Sequence, residues 1–113
     1  MWLIMVNDEN LTKYSFSVEQ LIQLKEKRQK QLRSKHFDLL SCERALKNAE
    51  NKLYLKTDFQ KLGLTNDKKR NSYVSDNTYK LRFRLDMAKY ELKQEEDELN
   101  IINDLINYRL KGE

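Results

Sequence analysis

Residues 18–56 read VEQLIQLKEKRQKQLRSKHFDLLSCERALKNAENKLYLK, and a seven-residue grid laid on them decides the fold. One grid position takes Val18, Lys25, Leu32, Leu39, Leu46 and Leu53, and its companion takes Leu21, Arg28, Lys35, Cys42 and Ala49. Eight of these eleven side chains are apolar and none is Gly or Pro, the pattern of a helix that hides one seam against a partner. Ser17 stands before the run and Gln20 three residues later, which is capping-box spacing. A helix is therefore expected over 17–56, about 60 Å long at the usual rise per residue.

A second grid follows. It runs Thr78, Leu85, Leu92, Leu99 and Ile106, with companions Leu81, Ala88, Glu95, Ile102 and Arg109, and predicts a helix over 76–111. Ser75 or Asp76 suits its N-cap, and Gly112 stands where a C-terminal glycine belongs. Between the grids, residues 57–75 hold Gly63, Asn66-Asp67 and small polar side chains, so they are read as a connector. Thr65 or Asn66 is placed to cap one short helical turn over 68–73. Two long helices joined once predict an all-α fold, an antiparallel two-helix coiled-coil hairpin over 17–113.

The polar seam residues fit that pairing. Folding the chain back near residue 65 sets Lys35 beside Glu95 and Arg28 near residues 102–104. It lays the basic run Lys25, Lys27, Arg28, Lys30, Arg33 and Lys35 along the acidic run Glu95 to Glu98. Exposed pairs of this kind are worth only about 0–1 kcal/mol each, so their role is to set register.

Composition narrows the alternatives. With 113 residues, 35% of them charged, two glycines and no proline, the chain lacks the turn residues of a β-sandwich and the Gly-rich loops that cradle phosphates. Mean hydropathy is −0.89, and no apolar run nears the roughly 18 residues a membrane span needs. One cysteine excludes a disulfide framework within the chain and fits a reducing cytoplasm. The opening MWLIMV lacks a basic flank and is too short for an export signal. It reads as a short strand or a helix-packing arm, with Met5 a second plausible start. Residues 7–15 read as a polar linker, making 1–16 an arm outside the hairpin.

No catalytic constellation is visible, and the chain is read as a non-enzyme that needs no cofactor, metal or small-molecule substrate. His36 has no carboxylate or thiol at ligand spacing, and Cys42 falls on the seam as a small apolar filler. Four consecutive acids on a helix, Glu95 to Glu98, point in different directions and suit a solvated face better than a cation site.

Charge is distributed unevenly. Residues 56–89 hold nine basic side chains against four acidic ones, a local +5 in a chain of net +4. Within this stretch Lys68, Lys69, Arg70, Tyr73, Lys80, Arg82 and Arg84 interleave cations with a ring, and Tyr79 and Phe83 lie among them. Single-stranded nucleic acid is held by cations along its phosphates and rings beneath its bases, so these seven residues are the candidate nucleic-acid contacts. A second candidate surface is the apolar stripe Phe83, Met87, Tyr90, Ile101, Leu105 and Tyr108, off the seam of the second helix. It needs cover from the arm, the connector or another copy, and self-association is the expectation.

The stretch LYLKTDFQKLGLTNDKKRNSYV at 53–74, followed by a long charged helix ending INDLINYRL, resembles small helical proteins encoded by bacteriophages of low-GC bacteria. Those proteins carry an Asn-x-Lys-x-Arg-like element between two long helices, matched here by Asn66, Lys68 and Arg70. The architecture is also similar to UvsY-type recombination mediators, oligomers that bind single-stranded DNA and help load a recombinase. The resemblance implies a phage recombination or replication accessory protein in the host cytoplasm, with Lys68, Lys69, Arg70, Arg82 and Arg84 on phosphates. The rival reading is a protein-interaction or structural module, such as a phage assembly part or an inhibitor of a host protein, docking through the second helix.

Overall fold

The computed structural model describes residues 13–112, and its regular structure is all helical, with no strand among the described residues. A 3-10 turn, Lys13–Ser15, precedes α1 (Val18–Lys56), α2 (Asp67–Asn77) and α3 (Tyr79–Gly112). Of the expected arm over residues 1–16, residues 1–12 lie outside the described residues. Ser17 and Gln20 complete the capping box at the head of α1. The Ser17 amide donates to Gln20 Oε1 at 2.9 Å, and the Gln20 amide donates to Ser17 Oγ at 3.2 Å.

The chain forms two compact units, one from Met1–Ser34 with Lys93–Glu113 and the other from Lys35–Leu92. In the first, Leu21, Leu24, Ile102 and Ile106 make a buried cluster with Phe16 and Leu105 packed against it. The supposed linker ends here. Lys13 is buried, its ammonium pairs with Glu98, and it lies 5.5 Å from the centre of the Tyr14 ring. Arg109 donates to the Tyr14 carbonyl oxygen, so two contacts bind this turn to α3. Arg28 meets Glu95 at 3.3 Å.

In the second unit the buried side chains are Leu46, Val74, Ala88 and Leu92, with Thr78. Lys35 meets Glu91 at 3.0 Å and Arg82 meets Glu50 at 3.3 Å. These partners correct the expected pairs, because Glu95 takes Arg28 and Lys35 takes Glu91. Folding back about one residue assumes a sharp reversal, whereas the chain between α1 and α3 contains a further helix.

The connector expected over 57–75 is therefore shorter. Asn66 is the N-cap of α2, accepting from the Lys69 amide at 2.9 Å, and the helix runs to Asn77 rather than ending near Tyr73. Ser75 and Asp76 lie inside α2 and cap nothing. The break before α3 falls at Thr78, whose hydroxyl donates to the Val74 carbonyl at 2.7 Å.

Candidate nucleic-acid interface

The Lys35–Leu92 unit carries all seven candidate contacts, and its local construction separates them into two kinds. After α1 the chain reverses through Gly63, whose φ of +70° is the left-handed conformation that glycine adopts without a Cβ clash. The Gly63 amide donates to the Gln60 carbonyl at 3.0 Å, and the Leu64 amide donates to the Phe59 carbonyl at 2.9 Å.

Phe59 is the hub of this turn. Tyr54 lies tilted to it with ring centres 6.0 Å apart, Tyr73 meets it edge-on at 6.2 Å, and the Arg70 guanidinium sits 5.4 Å from its centre. Arg70 Nε also donates to the Leu64 carbonyl at 3.1 Å, and the Tyr54 hydroxyl donates to Asn71 Oδ1. Arg82 is similarly engaged, donating from Nε to Thr78 Oγ1 at 3.1 Å and from Nη2 to Glu50 Oε2 at 3.3 Å. Arg70, Tyr73 and Arg82 are all half-buried: Arg70 and Tyr73 hold the turn together, and Arg82 ties the start of α3 to Glu50 of α1.

The remaining four candidates, Lys68, Lys69, Lys80 and Arg84, are exposed, and so are Lys56, Lys61 and Lys89. None of these seven forms an ion pair with another described residue. Lys68, Lys69 and Tyr73 line one cleft with Leu64, Asn66, Ser72 and Asp76. Arg84 lines a different groove with Phe83, Met87, Asp38, Ser41 and Cys42.

The stripe named as an interface is also divided. Phe83, Met87, Tyr90, Ile101 and Tyr108 are exposed, but Leu105 is half-buried against the Leu21–Ile102 cluster and belongs to the core margin. His36 is exposed and Cys42 half-buried. Among the described residues no three His, Cys, Asp or Glu side chains are placed to hold a metal ion, and no helix is long and apolar enough to cross a membrane.

Phe59 escaped the sequence reading, because it lies outside both grids. The signal that could have found it is a large aromatic in the connector between the grids, with Tyr54 and Tyr73 on either side. No protein-family model matches the chain, and no curated protein or solved structure matches it.

Proposed function

We propose that this chain is a non-enzymatic nucleic-acid-binding accessory protein, built as an antiparallel helical hairpin and acting through the basic surface of residues 56–89. The observation that carries the reading is the set of seven exposed cations, Lys56, Lys61, Lys68, Lys69, Lys80, Arg84 and Lys89, none in an ion pair with another described residue. A surplus of solvated cations raises the local concentration of a polyanion and exchanges its counterions on binding.

The hairpin reading is supported by the order of the ion pairs. Within the Lys35–Leu92 unit, Lys35 meets Glu91 and Glu50 meets Arg82, so the numbers fall on α3 as they rise on α1. The phage resemblance extends the proposal to a recombination or replication mediator that holds single-stranded DNA, working as a homo-oligomer in which several weak ends act together.

The test is the double variant Lys68→Glu with Lys69→Glu. Both side chains are exposed, so helicity by circular dichroism should be unchanged. Binding to a labelled oligonucleotide should weaken strongly, and the dependence of affinity on salt should become shallower, by about one unit of log–log slope per lost phosphate contact. Undiminished binding by this variant sinks the site assignment.

A second reading is favoured by the exposed apolar side chains of α3, with Tyr108 75% exposed. On that reading the chain is an interaction or structural module docking through α3, and it shows no salt-dependent affinity for DNA.

A further inference from the structure

Resting on the nucleic-acid reading, we propose that Tyr79 and Phe83 form a base-stacking ladder for a single strand, with Lys80 and Arg84 as its phosphate rail. This removes Phe83 from the oligomer stripe and adds Tyr79 to the binding surface.

The placement follows from helix geometry. Residues four apart on a helix share a face, so Tyr79 and Phe83 lie together and Lys80 and Arg84 lie together, one position round. Tyr79 is 63% exposed and Phe83 64%. Asp86 falls on the far side of the rings from Lys80 and Arg84, and it is exposed. Lys89 and the Glu50-bound Arg82 lie on that side too, so a polyanion laid on this face finds its nearest exposed cations at Lys80 and Arg84. Its phosphates run along Lys80 and Arg84, and its bases turn inward onto the rings. Below Arg84 the groove also holds Asp38 and Glu91, and Glu91 is already engaged by Lys35.

Spacing selects the form of nucleic acid. Ring-bearing residues four apart are offset by about 6 Å along the helix axis. That exceeds the roughly 3.4 Å repeat of a strand in a duplex, so successive bases reach successive rings only when the strand is extended and unstacked. A duplex presents its phosphates to Lys80 and Arg84 and leaves the rings idle. At the other end of α3, Ile101 stands between Glu98 and Asp104, acids that repel a phosphate backbone, whereas Tyr108 is followed by Arg109 and Lys111.

The experiment measures anisotropy of a labelled oligothymidylate and of a duplex of equal length, each at low and moderate salt, with the full chain and its Tyr79→Ala, Phe83→Ala and Phe83→Tyr variants. Each alanine should weaken single-strand binding roughly tenfold, while duplex binding and the salt slope stay unchanged. Phe83→Tyr should keep single-strand affinity, because it retains the ring. Single-strand binding indifferent to both alanines, or equal losses on strand and duplex, overturns the ladder while leaving the basic surface in place. A chain that binds neither polymer at low salt overturns the nucleic-acid reading itself, and the ladder with it.

Discussion

Replacing Glu98 with glutamine should unfold the chain disproportionately for a change of one atom. The Lys13 side chain is 4% exposed and that of Glu98 17%, so the carboxylate is what makes a buried ammonium tolerable beside α3. Removing one partner of a buried pair costs about 3–5 kcal/mol, because the other charge stays out of water. Two features lower that figure here. Glu98 keeps some access to water, and the ammonium lies 5.5 Å from the Tyr14 ring centre, an interaction that survives the substitution. About 2–3 kcal/mol is expected. Lys13→Met should cost less, about 1 kcal/mol or below, since it leaves behind the partner that water reaches more easily and fills the space with apolar volume. Urea unfolding followed by far-ultraviolet circular dichroism, at low and moderate salt, measures both. Glu98→Gln costing no more than Lys13→Met would refute the reasoning, as would a cost that vanishes when salt is raised, because a screened pair is a surface pair.

Ile102 is fully buried in its cluster, and Ile102→Ala should cost about 2–5 kcal/mol in the same unfolding assay. Asn66→Ala removes the acceptor of the Lys69 amide, so it should cost about 1 kcal/mol and speed hydrogen exchange at that amide ahead of the rest of α2. Lys93 titrates above its ordinary value of 10.5, because Asp97 accepts a hydrogen bond from its ammonium and adds an opposite charge. A raised lysine pKa favours the fold fully below the unfolded value and loses that contribution as pH rises through the folded value. The Lys93–Asp97 pair should therefore be insensitive to pH around neutrality. Asp97→Asn should return the Lys93 side-chain titration, followed by nuclear magnetic resonance, toward the ordinary value.

The seams were legible because exclusion from water is periodic along a helix. All eleven grid positions of α1 and all ten of α3, counting Thr78 just before it, are buried or half-buried, including the polar Arg28, Lys35 and Glu95. The break at Thr78 was not legible, since no proline or glycine marks it and its hydroxyl is returned to the backbone of the preceding turn. Lys13 read as one more polar linker residue, and only tertiary structure brings it to Glu98. The candidate interface was half legible. Lys68, Lys69, Lys80 and Arg84 are solvated cations as the charge pattern implies, but a one-letter code does not distinguish a guanidinium in water from one donating to a carbonyl. That difference separates Arg70 and Arg82 from the others.

Between Leu24 and Leu46, α1 has no fully buried side chain, and its inward-facing positions there include Lys25, Arg28 and Lys35. This stretch contains the boundary between Ser34 and Lys35 at which the chain divides into its two units. Apolar burial is what makes neighbouring turns melt together, and here it is only partial, through the half-buried Leu32, Leu39 and Cys42. Arg28 pairs with Glu95 within the first unit and Lys35 with Glu91 within the second, and the strength of such pairs falls with added salt where they reach water. Hydrogen exchange in the middle of α1 should therefore respond to ionic strength more than exchange near the buried Leu21 or Leu46.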